Sequence, residues 1–154
     1  MIVIRRGDRL DVPFLRSLLA HAYGRHVNAL DTEVPISRYV DNWGRRGDTA
    51  LIAMDEGHSV GAGWYRLFSD GAHGYGFVDE QTPELTVAVV PSRQGEGIGE
   101  ELLAALLARA GADGFPALSA SVEKDYPERE SLLGQGFEPV GESGMTLTML
   151  RRLA

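Results

Sequence analysis

The run Gln94-Gly95-Glu96-Gly97-Ile98-Gly99 is where this chain could hold a phosphate. It joins a strand-like apolar run, Leu85 to Val90, to a helical run, Ile98 to Ala110, whose leucines recur at three- and four-residue spacing. Glycine brings the backbone close to a ligand with no Cβ in the way. The first N–H groups of a helix have no internal partner, and the helix dipole adds roughly half a positive charge at that end. A glycine-dense turn that opens a helix is therefore a phosphate cradle made of main chain.

Three glycine motifs compete for this segment. A P-loop ends in Gly-Lys-Ser/Thr, which occurs nowhere in the chain. The dinucleotide fingerprint Gly-x-Gly-x-x-Gly fits Gly95 and Gly97 but meets Glu100 where its third glycine belongs. The pattern Gln/Arg-x-x-Gly-x-Gly/Ala is matched in full by Gln94, Gly97 and Gly99. That pattern resembles the pyrophosphate loop of the GNAT N-acetyltransferases, which bind acetyl-coenzyme A. The flanks agree: Pro83 to Pro91 resembles the family's central strand, and Ser121 to Asp125 followed by Gly136-Phe137 resembles its next strand, helix and strand.

The resemblance implies a site. The diphosphate falls to the main-chain N–H groups of Gln94, Gly95, Glu96, Gly97, Ile98 and Gly99, with Arg93 adding a positive charge. The pantetheine arm pairs like an added strand with the edge near Val87 and Val89. Acetyl transfer to nitrogen needs a neutral amine. A lysine-like amine near pKa ~10.4 must therefore lose a proton, at a cost of roughly 4–5 kcal/mol at pH 7. Glu84, at the start of the strand where family members carry a glutamate, is the expected base. The family's proton donor to the leaving thiolate is a tyrosine, and alignment on Gly136-Phe137 puts Leu132 there. Tyr126 is expected against the cofactor, Ser131 and Tyr65 are weaker donor candidates, and Tyr65 is expected to line the acceptor pocket. Glu96 departs from the family, which often has a basic residue there. The acidic Asp31, Glu33, Asp79 and Glu84 would suit a cationic acceptor.

These residues need a scaffold, and the rest of the chain reads as one. Ile2 to Ile4 is a strand; Asp11 is placed to cap an amphipathic helix carrying Phe14, Leu15, Leu18, Leu19 and Ala22 and ended by Gly24. A loop from Asn28 to Pro35 and a short helix from Ile36 to Trp43 follow. Thr49 to Met54 and Ser59 to Phe68 form a hairpin, with Trp64 and Phe68 facing the core. Ser69 to Thr82 is a glycine-rich connection, and long connections are often functional. After the main helix come a strand at Ala117 to Val122, a helix at Pro127 to Leu133, and strands at Phe137 to Val140 and Met145 to Leu150. The order is mixed α/β. The resemblance implies the GNAT fold: one domain over residues 1–154, a twisted mixed sheet of six to seven strands, about four helices, and central strands that splay apart.

Composition bounds the rest. With 154 residues, 44% of them apolar, the chain suits a single domain able to bury a core. It has no cysteine, which excludes disulfides, thiolate metal sites and a cysteine nucleophile. The four histidines are scattered, with no metal-binding spacing. A net charge of −7 and dispersed arginine pairs disfavour nucleic acid. No apolar run approaches the ~20 residues that span a bilayer, and no leader pattern precedes the first strand. The expectation is a cytoplasmic acetyl-CoA-dependent N-acetyltransferase acting on a small-molecule or peptide amine, with a homodimer common in the family. The alternative is a non-catalytic acyl-CoA-binding sensor.

Overall fold

The structure, a computed structural model, describes residues 1–28 and 34–153, with only the backbone for 24–28. Asp31, Glu33 and the His26 side chain lie outside the described residues. The elements are β1 Ile2–Arg6, α1 Val12–Asn28, β2 Thr49–Asp55, β3 His58–Arg66, β4 Glu84–Val89, α2 Ile98–Ala112, β5 Ala117–Glu123, α3 Glu128–Gly134, β6 Glu138–Ser143 and β7 Thr146–Arg152. One seven-stranded sheet runs in the order β1-β2-β3-β4-β5-β7-β6. All neighbours are antiparallel except β4 and β5. No helix among the described residues is long and apolar enough to cross a membrane.

Alternation along the strands divides the core in two. Trp64 faces α1 and packs with Leu15, Leu18, Tyr23, Tyr39, Ile52 and Phe68. Its neighbour Tyr65 points through the sheet to the α2 side, where Leu85, Leu103, Leu106, Leu118, Phe137 and Met149 are buried. The expected core roles of Trp64 and Phe68 therefore hold. Three α-helices are present among the described residues, fewer than the four expected. The segment after Ile36 is only a 3-10 turn, Ile36–Tyr39, because Val40 leaves the helical region and Asn42 takes a left-handed φ of 56°. Helix α1 runs past Gly24 to Asn28 across a break at Tyr23, whose φ is −129°.

Asp11 does not cap α1. It ends a 3-10 turn, Arg9–Asp11, that Asp8 caps, and its carboxylate accepts the Asp8 N–H at 2.9 Å. Arg5 grips the same carboxylate at 2.9 and 2.7 Å and holds its pKa below the ordinary aspartate value.

One buried ion pair ties the segment after α1 to the sheet. Arg66 is fully buried and donates to both Asp48 oxygens, at 3.0 and 2.7 Å. Its Nη1 donates to the carbonyls of Arg38 and Asp41, each at 2.8 Å, and its guanidinium lies 5.3 Å from the centre of the Trp43 ring. The guanidinium thus holds the main chain on either side of Tyr39 and Val40. Removing one partner of such a pair strands a buried charge, whereas apolar replacement of both is far milder. D48A should therefore lose about 3–5 kcal/mol in urea unfolding, and the double variant R66M/D48L should recover most of it.

Candidate active site

Strands β3 and β4 stay paired over six couples, from Gly61↔Val89 to Arg66↔Glu84. Strands β4 and β5 pair at one, Glu84↔Ser119, where the Ser119 N–H reaches the Pro83 carbonyl at 2.9 Å. Beyond it the two strands part. An antiparallel strand turns the main-chain groups of alternate residues to opposite neighbours. The Val90 N–H reaches the Val60 carbonyl at 2.9 Å, so the even-numbered residues of β4 serve β3. Val87 and Val89 therefore turn their N–H and C=O groups toward the side from which β5 has withdrawn. The Val89 carbonyl accepts only a long bond, 3.4 Å, from the Gln94 side chain.

The opening is a cleft of ≈ 800 Å³. Its walls include Val87 and Val89 from β4, Ser121 and Glu123 from β5, Tyr126, and Ser131 and Leu132 from α3. At its mouth lie Arg93, Gln94, Gly95, Gly97, Ile98 and Gly99. The turn forms because Pro91–Arg93 makes one 3-10 turn and Gly95 and Gly97 then adopt φ of 84° and 85°, which disfavours any side chain. A Cβ at either glycine would meet nothing within 4 Å, so both open onto free space. Gly97 caps α2 with no side-chain hydrogen bond, leaving the helix's first N–H groups to a ligand.

The charges around this turn differ from expectation. The Arg93 Nε donates to both Glu96 oxygens at 3.0 and 3.1 Å, and its Nη2 donates to Asp55 at 2.9 Å. The N-terminal ammonium holds Asp55 from the other side at 3.1 Å and is the larger cause, ahead of Arg93, of that carboxyl's lowered pKa. Arg93 is thus engaged by two carboxylates, and Glu96 is neutralised by it rather than left beside a phosphate.

Glu84 sits at the closed end of the cleft. It is 1% exposed and does not reach the cleft wall. Its Oε2 accepts the Tyr39 hydroxyl at 2.5 Å, and that hydroxyl accepts the Tyr75 N–H at 2.8 Å. Burial pushes the carboxyl up to about 7, against the pull of the Tyr39 hydroxyl and the nearby Gly76 N–H. Two residues along the same face, Thr86 shares a 2.6 Å hydrogen bond with the Tyr23 hydroxyl. Tyr23 stacks on Tyr39 at 4.3 Å, and both phenols are pushed well above their usual range by burial, then by the Glu84 charge. The break in α1 falls at Tyr23, the residue that meets β4.

Several expected residues do not join this cluster. Tyr65 lies on the sheet face opposite Glu84, with its hydroxyl on Asp113 at 2.8 Å and its ring edge-on to Phe115, and it is not part of the cleft wall. Asp79 is exposed and accepts the Gln81 N–H at 2.9 Å. Leu132, on the cleft wall, offers no proton, while Ser131 reaches Glu100 at 3.5 Å. The residues that the sequence did not announce are Tyr23, Tyr39, Thr86 and Ser119. Thr86 shares the Glu84 strand face, a detectable signal; Tyr39 arrives from far along the chain and gave none.

Known proteins share this fold. The family description "Acetyltransferase (GNAT) family" matches residues 13–137. No curated protein sequence matches the chain. Among solved structures, a ribosomal-protein-alanine N-acetyltransferase from Brucella melitensis is 28% identical, with a TM-score of 0.73 over 98% of this chain and 99% of that one. YncA, a putative acetyltransferase from Salmonella typhimurium solved with acetyl-CoA, shares the fold at 23% identity and a TM-score of 0.74, over 100% of this chain and 95% of its own. A phosphinothricin acetyltransferase from Sinorhizobium meliloti, also in complex with acetyl-CoA, does so at 21% and 0.69, over 99% and 88%. The parted central strands, the glycine turn at their open end and a family match over most of the chain lead to one conclusion: this chain belongs to the acetyltransferase (GNAT) family.

Proposed function

We propose that the protein transfers the acetyl group of acetyl-CoA to a primary amine by direct attack, with Glu84 as general base. The observation that carries this reading is a continuous cleft that runs from the uncapped N-terminus of α2 to Leu85 and Thr86, next along the strand from the buried, half-partnered carboxylate of Glu84. The residues present fit the coenzyme. A turn open at Gly95 and Gly97 suits a diphosphate, and the outward main-chain groups of Val87 and Val89 suit the amides of a pantetheine arm. Tyr126 stands on the wall beside that arm. Acetyl-CoA, when bound, supplies an activated thioester.

The chain supplies the rest. Parted strands orient the acceptor and the acetyl carbon in one channel, which is where most of the rate advantage of such a reaction arises. Glu84 takes the proton. A carboxyl that titrates at about 7 suits a general base: a large fraction is ionised at neutral pH, and the ionised form is basic enough to hold the proton it receives. Leu132 cannot donate to the leaving thiolate, and a thiolate is weakly basic enough to take its proton from water.

A second reading has its own support. Leu132 in place of a donor and the near-complete burial of Glu84 both suit a module that binds acyl-CoA without turning it over. A panel of primary amines with acetyl-CoA, followed by free-thiol release, separates the two. The enzyme reading expects release with at least one amine; release with none favours the sensor.

With a turned-over amine in hand, E84Q should lose about 10²–10⁴-fold in kcat while its affinity for acetyl-CoA stays unchanged. The wild-type kcat/KM should rise through a pH of about 7 as the carboxyl ionises. Stability should move the other way. The folded-state pKa lies above the ordinary value of 4.5, so the native state binds more protons between the two and stability falls as pH rises from 4.5 to about 7. E84Q should flatten that slope in urea titrations, an effect of about 3 kcal/mol at most. E96Q should remove one of the two carboxylates that offset Arg93, leaving Asp55, and tighten coenzyme A binding about two- to fivefold by calorimetry at low salt, a gain that high salt removes.

A further inference from the structure

The two oxygens of the Glu84 carboxylate are treated differently. Oε2 accepts the Tyr39 hydroxyl at 2.5 Å, whereas Oε1 has no hydrogen-bond partner among the described residues. The direction of the first bond is settled by chemistry. A phenol has one proton to give, and an ionised carboxylate can only accept. The same hydroxyl oxygen accepts the Tyr75 N–H at 2.8 Å, so it ties the Ser69–Thr82 connection to the carboxylate. Burial, then the Glu84 charge, pushes the Tyr39 phenol well above its ordinary range, so it keeps its proton.

Tyr39 is clamped. Its ring stacks on Tyr23 at 4.3 Å and stands edge-on to Phe68 at 5.5 Å. Its main chain is gripped from β3. Trp64 Nε1 donates to the Tyr39 carbonyl at 3.0 Å, and Arg66 Nη1 donates to the carbonyls of Arg38 and Asp41. The connection above is shaped around the bond. A Cβ on Gly74 would fall 2.4 Å from the Tyr39 hydroxyl oxygen and 2.6 Å from Glu84 Oε1. Gly74 does not take a left-handed φ, so it is close approach that calls for glycine there. A glutamate has three side-chain torsions, and anchoring one carboxylate oxygen fixes where the other faces.

We propose that Tyr39 is the positioning residue of the base: its hydroxyl holds Oε2, which leaves Oε1 as the oxygen that takes the proton, and Gly74 keeps side chains out of the space beside both. The inference rests on the acetyl-transfer reading above and adds to it which oxygen acts and what aims it. The other groups packed about Glu84 are few. Tyr23 on α1 shares its hydroxyl with Thr86, and Tyr75 stacks on Tyr23 at 6.0 Å. Arg66, the partner of Glu84 on β3, is committed to Asp48, and β5 presents the uncharged Ser119. On the connection, the Gly76 N–H lies near the carboxylate, and His73 stacks on Phe77 and donates Nδ1 to the Gly74 carbonyl. Arg38 donates to the His73 carbonyl at 2.9 Å.

Glu84 can be followed without acceptor or coenzyme by carbon-13 NMR of its carboxyl, assigned with E84Q. Y39F should move its titration midpoint upward by about one unit or more, because the ionised form loses its donor. G74A keeps the phenol but wedges a methyl against both oxygens, and it should move the midpoint the same way. With a turned-over amine, Y39F should carry the rise of kcat with pH upward by the same amount. It should also lower the limiting rate on the alkaline side about tenfold or more, at unchanged KM for acetyl-CoA. Y39F that loses stability in urea yet leaves the midpoint and the limiting rate in place would make Tyr39 a packing residue and overturn the proposal while leaving acetyl transfer intact. Wild-type protein that turns over no amine would remove the acetyl-transfer reading and the proposal with it. If Y39F does not fold, the G74A midpoint decides, and one that stays put overturns the proposal.

Discussion

The structure depends on two neighbouring strands in the middle of a sheet that pair once and then separate. Backbone N–H and C=O groups are obligatory hydrogen-bonding groups, and an unpaired row of them inside a domain is costly unless something else takes them. Here the row belongs to Val87 and Val89, because the even-numbered residues of β4 are committed to β3 and β5 has withdrawn beyond Ser119. The parting of β5 leaves those groups facing the cleft. It also creates the channel, sets the α2 N-terminus at one end, and leaves Glu84 at the other, where the strands still touch.

The chemistry at the closed end follows from what packs over it. The ion pair of Arg66 with Asp48 pins the turn that carries Tyr39. Tyr39 stacks on Tyr23, donates its hydroxyl hydrogen bond to Glu84, and accepts from the Ser69–Thr82 connection. That connection covers the carboxylate, and burial then raises its pKa into the neutral range. At the open end the logic is inverted. Arg93, Glu96, Asp55 and the chain's own ammonium offset one another, so what this turn offers an anion is its uncapped main-chain amides. Amides fixed by glycine dihedrals recognise shape; a free surface cation would mainly attract charge.

Local patterning carried much of this. The glycine motif, the leucine spacing of α2 and the alternation around Trp64 were legible because each depends on residues a few positions apart. Glu84 stood out through the resemblance of its strand to the family's central strand; the burial that perturbs its carboxyl comes from Tyr39 and the Ser69–Thr82 connection, which no pattern around Glu84 reveals. The misreadings share a cause. Tyr65 read as a pocket residue because alternation shows that it opposes Trp64, yet not which face of the sheet carries the acceptor. Asp11 looked like a helix cap until Arg5 and Asp8 claimed its carboxylate. The Ile36 helix shortened to a 3-10 turn once Arg66 fixed the carbonyls of Arg38 and Asp41. The Arg93–Glu96 pair, the break at Tyr23 and the serines of β5 are consequences of tertiary packing, and no short window of sequence contains them.

The most direct test of the parted-strand channel is a crystal structure with coenzyme A at saturating concentration. The expected result places the diphosphate within hydrogen-bond distance of main-chain N–H groups between Gly95 and Gly99, and the pantetheine amides against Val87 and Val89 in the gap between β4 and β5. Coenzyme A bound elsewhere, or strands β4 and β5 closed into a continuous ladder across that gap, would contradict it.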